Sequence, residues 1–200
     1  NPHIRELSSI PSFFWNAEAF SVNPESAMYR PLLLTSFAVD YALFGSHASG
    51  YHMVNVMLHG LSAVVAASWL VGLGIRRRVA LVTALVFAVQ PINSEVVCYV
   101  SSRSELLMGL LLLAAAASHA RCGAAEGRRW QCASLLAAAG SLLTKSVGIM
   151  TPLAVAVGDG FSGGVGRVRS RAGFYLPLGV MGLAYLLFIR GSATTALVDA

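Results

Sequence analysis

The sequence predicts an all-α membrane protein, a polytopic bundle of transmembrane helices. Three observations lead there. Hydrophobic residues make up 56% of the 200 and charged residues 12%, with a mean hydropathy of +0.68, whereas a soluble domain carries about 25% charge. Long apolar runs follow one another with short polar breaks between them. Nine of the fourteen basic residues fall in three of those breaks: Arg76, Arg77 and Arg78; Arg121, Arg128 and Arg129; Arg167, Arg169 and Arg171. Arginines gathered between spans are what the positive-inside rule places on the cytoplasmic side. The same clustering argues against nucleic acid as the meaning of the +5 net charge, because no stacking aromatics interleave with the arginines. Cys98, Cys122 and Cys132 form no CxxC pair and no zinc-ligand spacing.

Taken in order, residues 1–49 read as an extracytoplasmic loop with interfacial helices. Prolines at 2, 11 and 24 mix there with Phe13, Phe14, Trp15 and Phe20, and such aromatics settle at the headgroup level. The run 31–45 is apolar but short, carries Asp40 and opens with Pro31, so it predicts an interfacial or re-entrant helix rather than a span of about 20 residues. Residues 50–190 form the transmembrane helical domain, with about six spans. The first, 50–74, places His52, Asn55, His59 and Ser62 on one helix face, a stripe that must point into a bundle or a wet cavity. The next runs to Gln90-Pro91, where proline interrupts regular helix. Apolar runs then cover 106–119, 130–144 and 147–157; a glycine-rich flexible loop is expected from Gly158 to Gly173; a last span covers 174–189. Residues 191–200 begin the next extracytoplasmic segment. A start at Asn1 and an end soon after a span suggest a piece cut at both ends.

The stretch that draws chemical attention is the elbow QPINSEVVCYVSSRSELL, residues 90–107. Glu95, Arg103 and Glu105 sit there within a chain poor in charge, and ionisable groups beside apolar spans suggest function. If the three arginine clusters are cytoplasmic, alternation puts the elbow, residues 1–50, Lys145 and Arg190 on the other face. That face then holds Arg5, Arg30, Arg103, Lys145 and Arg190 together with Glu6, Glu18, Glu25, Asp40, Glu95 and Glu105. A mixed set of this kind suits a phosphate-bearing substrate and an acid or base step. His52, nearest the end of its span, is a candidate for facing substrate; helix-to-helix hydrogen bonding accounts for the stripe equally well. His119, beside the second arginine cluster, reads as an interfacial residue rather than a ligand.

The segments NPHIRELSSIPSFF, YRPLLLTSFAVDYALFG, GYHMVNVMLHGL, the elbow and SLLTKSVGIMTPLAVAVGD occur in that order. Together they resemble the N-terminal membrane part of bacterial tetratricopeptide-repeat membrane proteins, similar to the eukaryotic transmembrane-and-TPR O-mannosyltransferases of the GT-C superfamily. The resemblance implies a GT-C-like bundle that moves a sugar from a polyprenyl-phosphate donor to a hydroxyl, a protein Ser/Thr or a glycan, on the extracytoplasmic face. It also implies TPR repeats downstream and an acidic motif just upstream of Asn1. Among residues present, Tyr29-Arg30-Pro31 matches YRPL, placing Arg30 near the donor phosphate. Glu95 keeps the acid of HPIHTE-like elbows, although Gln90 and Asn93 replace its other polar residues, and stands as the catalytic carboxylate. Arg103 matches an SR step and Lys145 the first residue of a KE pair whose acid is Ser146 here. Arg30, His52, Arg103 and Lys145 are thus the substrate-binding candidates. No cofactor is certain, and a divalent metal stays open. Two other readings remain: a transporter or flippase lined by the polar stripe and the broken helix, or a non-catalytic anchor for TPR-mediated interactions. The residues Val100 to Ser104 favour a bacterial inner membrane over the endoplasmic reticulum.

Overall fold

The computed structural model describes residues 2–16, 28–122 and 127–198, with side chains of residues 3–16, 28–122 and 127–188. Glu18, Phe20, Pro24, Glu25 and the Arg190 side chain lie outside the described set. Among the described residues all regular structure is helical.

Two 3₁₀ segments, Pro2–Arg5 and Leu7–Phe14, open the chain. They lie against α1 (Pro31–Phe44), whose first turn holds Pro31, where no intrahelical N–H is needed. Phe13, Leu34 and Ala38 form the small core that fixes this contact. The Tyr29 hydroxyl donates to Phe14 O at 3.0 Å, and burial pushes that phenol up from its ordinary range. α1 ends at Gly45, whose φ of 58° is the left-handed region that favours glycine. At 14 residues it is too short to cross on its own.

α2 (Ala48–Gly72) is followed by α3 (Arg77–Val89), which Pro91 ends. The elbow folds as a 3₁₀ turn Pro91–Asn93, the short α4 (Ser94–Cys98) and a second 3₁₀ turn Val100–Ser102. α5 (Arg103–Ala120) and α6 (Gly127–Thr144) form the most extensively packed pair. After a 3₁₀ segment Ser146–Met150 come α7 (Thr151–Ser170) and α8 (Ala172–Val198). Side-chain contacts give the helix directions. Arg103 meets Tyr51 and Arg121 meets Ser68, so α2 and α5 run parallel. Ser134 donates to Ala115 O, and Lys145 reaches Glu105, so α6 returns antiparallel. The bundle therefore has an elbow end, with residues 2–16, α1 and α4, and an arginine end, with the three arginine clusters.

α2 and the helical stretch Val100–Ala120 are long and apolar enough to cross a membrane. Two bent pairs add a span each if taken together: Arg77–Val89 with Pro91–Cys98, bent by 51°, and Ser146–Ser170 with Ala172–Phe188, bent by 87°. The fold is thus the helical membrane bundle the composition predicts, centred on Ala115, Ala116, Ala138, Val155 and Leu178.

One element differs from expectation. The glycine-rich stretch 158–173 is not a flexible loop: α7 continues through it to Ser170, broken at Gly163 and Gly164, where Gly164 takes φ 64° and ψ −167°, and α8 begins at Ala172. Ordered partners explain the difference, because Asp159, inside that stretch, is bound by His119 of α5, Tyr175 of α8 and Arg171 in the turn between α7 and α8.

Candidate functional site

Arg103 organises the elbow end. Its side chain is 0% exposed. Nε donates to Asn55 Oδ1 at 2.9 Å, one terminal nitrogen to the Asp40 carboxylate, and the other to Tyr51 O at 2.9 Å. The guanidinium also stacks 4.7 Å from the Phe37 ring and 5.7 Å from that of Tyr51. Asn55 completes the set by donating towards Val97 O and Tyr99 O at 3.3 and 3.4 Å. One residue on α5 therefore ties α1 and α2 directly and the elbow backbone through Asn55. A buried guanidinium tolerates this setting because its charge is paired and its donors are used.

Lys145 and Glu105 form a second pair beside it. The Lys145 ammonium donates to Glu105 Oε1, joining the α6 C-terminus to the first turn of α5. Their side chains are 21% and 38% exposed, so this cation, unlike Arg103, is open to a ligand. Glu95 stands exposed in the first turn of α4, where a carboxylate also suits the helix dipole. His52 is exposed near the start of α2, while Asn55 and Ser62 of the same stripe are buried and His59 lies 3.1 Å from Ala88 O. Arg30 is half-buried at the entry to α1.

The structure thus gathers the sequence candidates at one end, with a distinction the sequence did not make. Arg103 faces inward onto protein acceptors, so direct contact with a donor phosphate does not fit its enclosed position. It binds α1 and α2 together instead. Asp40, Asn55 and Tyr51 were not named as candidates. Their signal was present: a carboxylate in an apolar run calls for a cation, and Asn55 lies on the polar stripe. Below the elbow, a small cavity of about 140 Å³ is lined by His59, Ser62, Asn93, Glu105 and apolar neighbours. Among the described residues, no three His, Cys, Asp or Glu side chains converge as a metal site.

The arginine end holds a cluster the sequence reading missed. His119 Nε2 lies 2.8 Å from Asp159 Oδ2, Arg171 donates to Asp159 Oδ1 at 3.0 Å, and the Tyr175 hydroxyl donates to Oδ2 at 2.8 Å. His119 is therefore a buried partner of a carboxylate, 3% exposed, and not an interfacial residue. Its neighbours come from α7 and α8, brought together by the 87° bend.

Comparison with known proteins adds identity to this geometry. A protein of Caenorhabditis elegans named protein O-mannosyl-transferase F38B6.6 is 30% identical over 150 residues, covering 72% of this chain and 21% of its own length. Human protein O-mannosyl-transferase TMTC4 is 31% identical over 157 residues, covering 68% of this chain and 21% of itself. The chain resembles the transmembrane-and-TPR O-mannosyltransferases. Human TMTC1, also named a protein O-mannosyl-transferase, is 35% identical over 109 residues, or 54% of this chain. The chain spans about a fifth of the length of the first two of these O-mannosyltransferases. No family model and no solved structure matches it. These relatives are animal proteins, so the bacterial preference read from Val100 to Ser104 draws no support from them. Five residues are too short a window to separate kingdoms.

Proposed function

We propose that this chain is part of a membrane glycosyltransferase that moves a sugar, mannose by analogy with the relatives' names, from a polyprenyl-phosphate donor to a hydroxyl of protein Ser/Thr. The observation that carries the reading is the match over 150 residues to a chain named a protein O-mannosyl-transferase. The geometry supports it by putting accessible cations and a carboxylate at one end of the bundle. Lys145 and Arg30 hold the donor phosphate, and cations fixed in a dry site stabilise the charge that develops as the glycosidic bond to phosphate breaks. Glu95 accepts the proton of the acceptor hydroxyl, and His52 lies at the same end to contact donor or acceptor. Arg103 touches neither; it holds α1, α2 and the elbow in register. This GT-C-type chemistry takes place on the extracytoplasmic face, with the arginine clusters in the cytoplasm, in an endoplasmic reticulum membrane.

The test is transfer from a radiolabelled polyprenyl-phosphate mannose to a Ser/Thr acceptor by the full-length protein in sealed vesicles. Transfer lowered at least about tenfold by Lys145→Gln or Glu95→Gln, at unchanged protein level, is the expected result. Full activity in both variants removes the assigned roles. Absence of transfer with any donor, alongside movement of lipid across the bilayer, favours a flippase.

A further inference from the structure

Between α2 and α3, on the half of α2 nearest the arginine end, lies an open apolar groove of about 620 Å³. Its floor is alanine: Ala63, Ala67, Ala80 and Ala84 are all buried. Its rim is exposed Val64, Val71, Leu81 and Leu85. Small residues on facing stripes let the two backbones approach and leave a trough where larger side chains would stand. Along α3 the groove runs from Arg77 to Ala88, about 16 Å at the helical rise. That is about half of a hydrocarbon core of about 30 Å, the depth of one leaflet.

The mouth of the groove is cationic. Arg77 stands exposed at the first position of α3. Arg121 closes the other side, where its guanidinium donates to Ser68 Oγ and lies 5.0 Å from the Trp130 ring. Among the described residues, no acidic side chain lines the groove. An apolar trough one leaflet deep with two arginines at headgroup level matches a lipid of negative charge. A neutral helix docked there would leave the arginines unanswered.

We propose that the groove binds one acyl chain of an anionic phospholipid whose phosphate is held at the mouth by Arg77 and Arg121. The site lies at the opposite end of the bundle from Glu95 and Lys145 and does not depend on the transferase reading. The phosphate gains charge-assisted hydrogen bonds from Arg121, already fixed by Ser68 and Trp130, and the exposed Arg77 supplies the second contact.

The experiment is native mass spectrometry of the full-length protein released from nanodiscs containing equal phosphatidylglycerol and phosphatidylcholine. Wild type retains phosphatidylglycerol in about tenfold excess, as expected for arginine at an anionic surface. Arg77→Gln, at an exposed position that leaves packing intact, lowers the excess at least about threefold, and Arg77→Gln with Arg121→Gln brings it within about twofold. Arg167→Gln with Arg169→Gln, outside the groove, leaves it unchanged. Gly60→Leu fills the deep end, where an added Cβ meets nothing within 4 Å, and lowers retention of both lipids. Equal retention of the two lipids by wild type, or an excess untouched by the double variant, overturns the proposal. So does a photocrosslinker at Val64 that captures polypeptide in place of lipid, since another helix then fills the groove.

Discussion

Both ends of the bundle bury a carboxylate against an arginine, and they do so differently. At the elbow end Arg103 is the enclosed partner, with Asp40, Asn55 and the Tyr51 carbonyl all turned towards it. At the arginine end the carboxylate is the enclosed partner: Asp159 collects His119, Arg171 and Tyr175, and Arg171 keeps 20% of its side chain in contact with solvent. The first arrangement has no outlet for its charge if a partner is lost. The second can let Arg171 swing to water. A rigid clamp thus stands under the candidate site, and a releasable tie stands at the helix break. Catalytic groups need such a clamp, because small misplacements in a preorganised site are costly in rate.

The largest effect expected from this contrast is at Arg103. Arg103→Ala leaves Asp40 buried without a cation and costs about 3–5 kcal/mol, read as a large fall in melting temperature of the full-length protein in detergent. Arg103→Leu combined with Asp40→Leu recovers much of that loss, because two apolar residues leave no stranded charge. The double variant is then the informative one for activity. Folded yet poor in transfer, it assigns Arg103 to positioning; folded and fully active, it reduces the clamp to stability alone. Asp159→Asn comes second, at about 1–3 kcal/mol for the weakened hydrogen bonds, since Arg171 can be rehydrated. A loss as large as that of Arg103→Ala would erase the distinction between the two ends.

Cys122 gives a chemical reading of the same tie. It lies in the turn after α5, half-buried, with its thiol pushed up chiefly by burial; the Arg171 charge opposes this and the Asp159 charge adds to it. The thiolate is the reactive form, so a raised pKa makes alkylation slow until the pH climbs past it. Asp159→Asn removes a negative charge and loosens the turn, and both act in one direction. Iodoacetamide labelling of Cys122 at pH 8 should rise several-fold in that variant, checked by peptide mass spectrometry. An unchanged rate would mean that the tie does not control this turn.

The sequence carried the two ends unequally for a physical reason. At the elbow end the signals are local. A carboxylate at position 40 in an apolar run, a polar stripe from His52 to Ser62 and a charged elbow each violate the apolar pattern, and charges that violate it in a membrane protein seek one another. What stayed hidden there was the assignment of partners across the 63 residues from Asp40 to Arg103. Pattern alone equally suited an outward-facing arginine. At the arginine end the signal was misleading. Asp159 lies in GDGFSGGVG, a composition that reads as loop, and helical structure there depends on Arg171 and Tyr175 folding back through the 87° bend. Glycine content reports backbone freedom and says nothing of tertiary anchors. His119 was visible beside an arginine cluster, but its carboxylate partner came from a helix whose direction only packing reveals.

The break at Gly164 tests whether that anchoring carries strain. Its φ of 64° with ψ near −167° belongs to a region essentially reserved for glycine, whereas Gly166, two residues on in the same helix, has no positive φ and nothing within 4 Å of an added Cβ. Gly164→Ala should cost about 1–3 kcal/mol and Gly166→Ala less. Equal effects would place the constraint in packing and not in the backbone.

The smallest expected stability effect is at Lys145, and it sharpens the comparison most. Its pair with Glu105 is partly exposed, 21% and 38%, and such pairs contribute about 0–1 kcal/mol. Lys145→Ala should therefore leave the melting temperature almost unchanged while sugar transfer falls. The enclosed Arg103 moves both quantities together. If the elbow end is a site built on a clamp, the two cations must separate in this way, because only a cation with solvent on one side can exchange a protein carboxylate for a substrate phosphate. A Lys145 variant that lost stability in proportion to activity would put both cations in the scaffold and leave Arg30 and His52 as the remaining candidates to meet the donor.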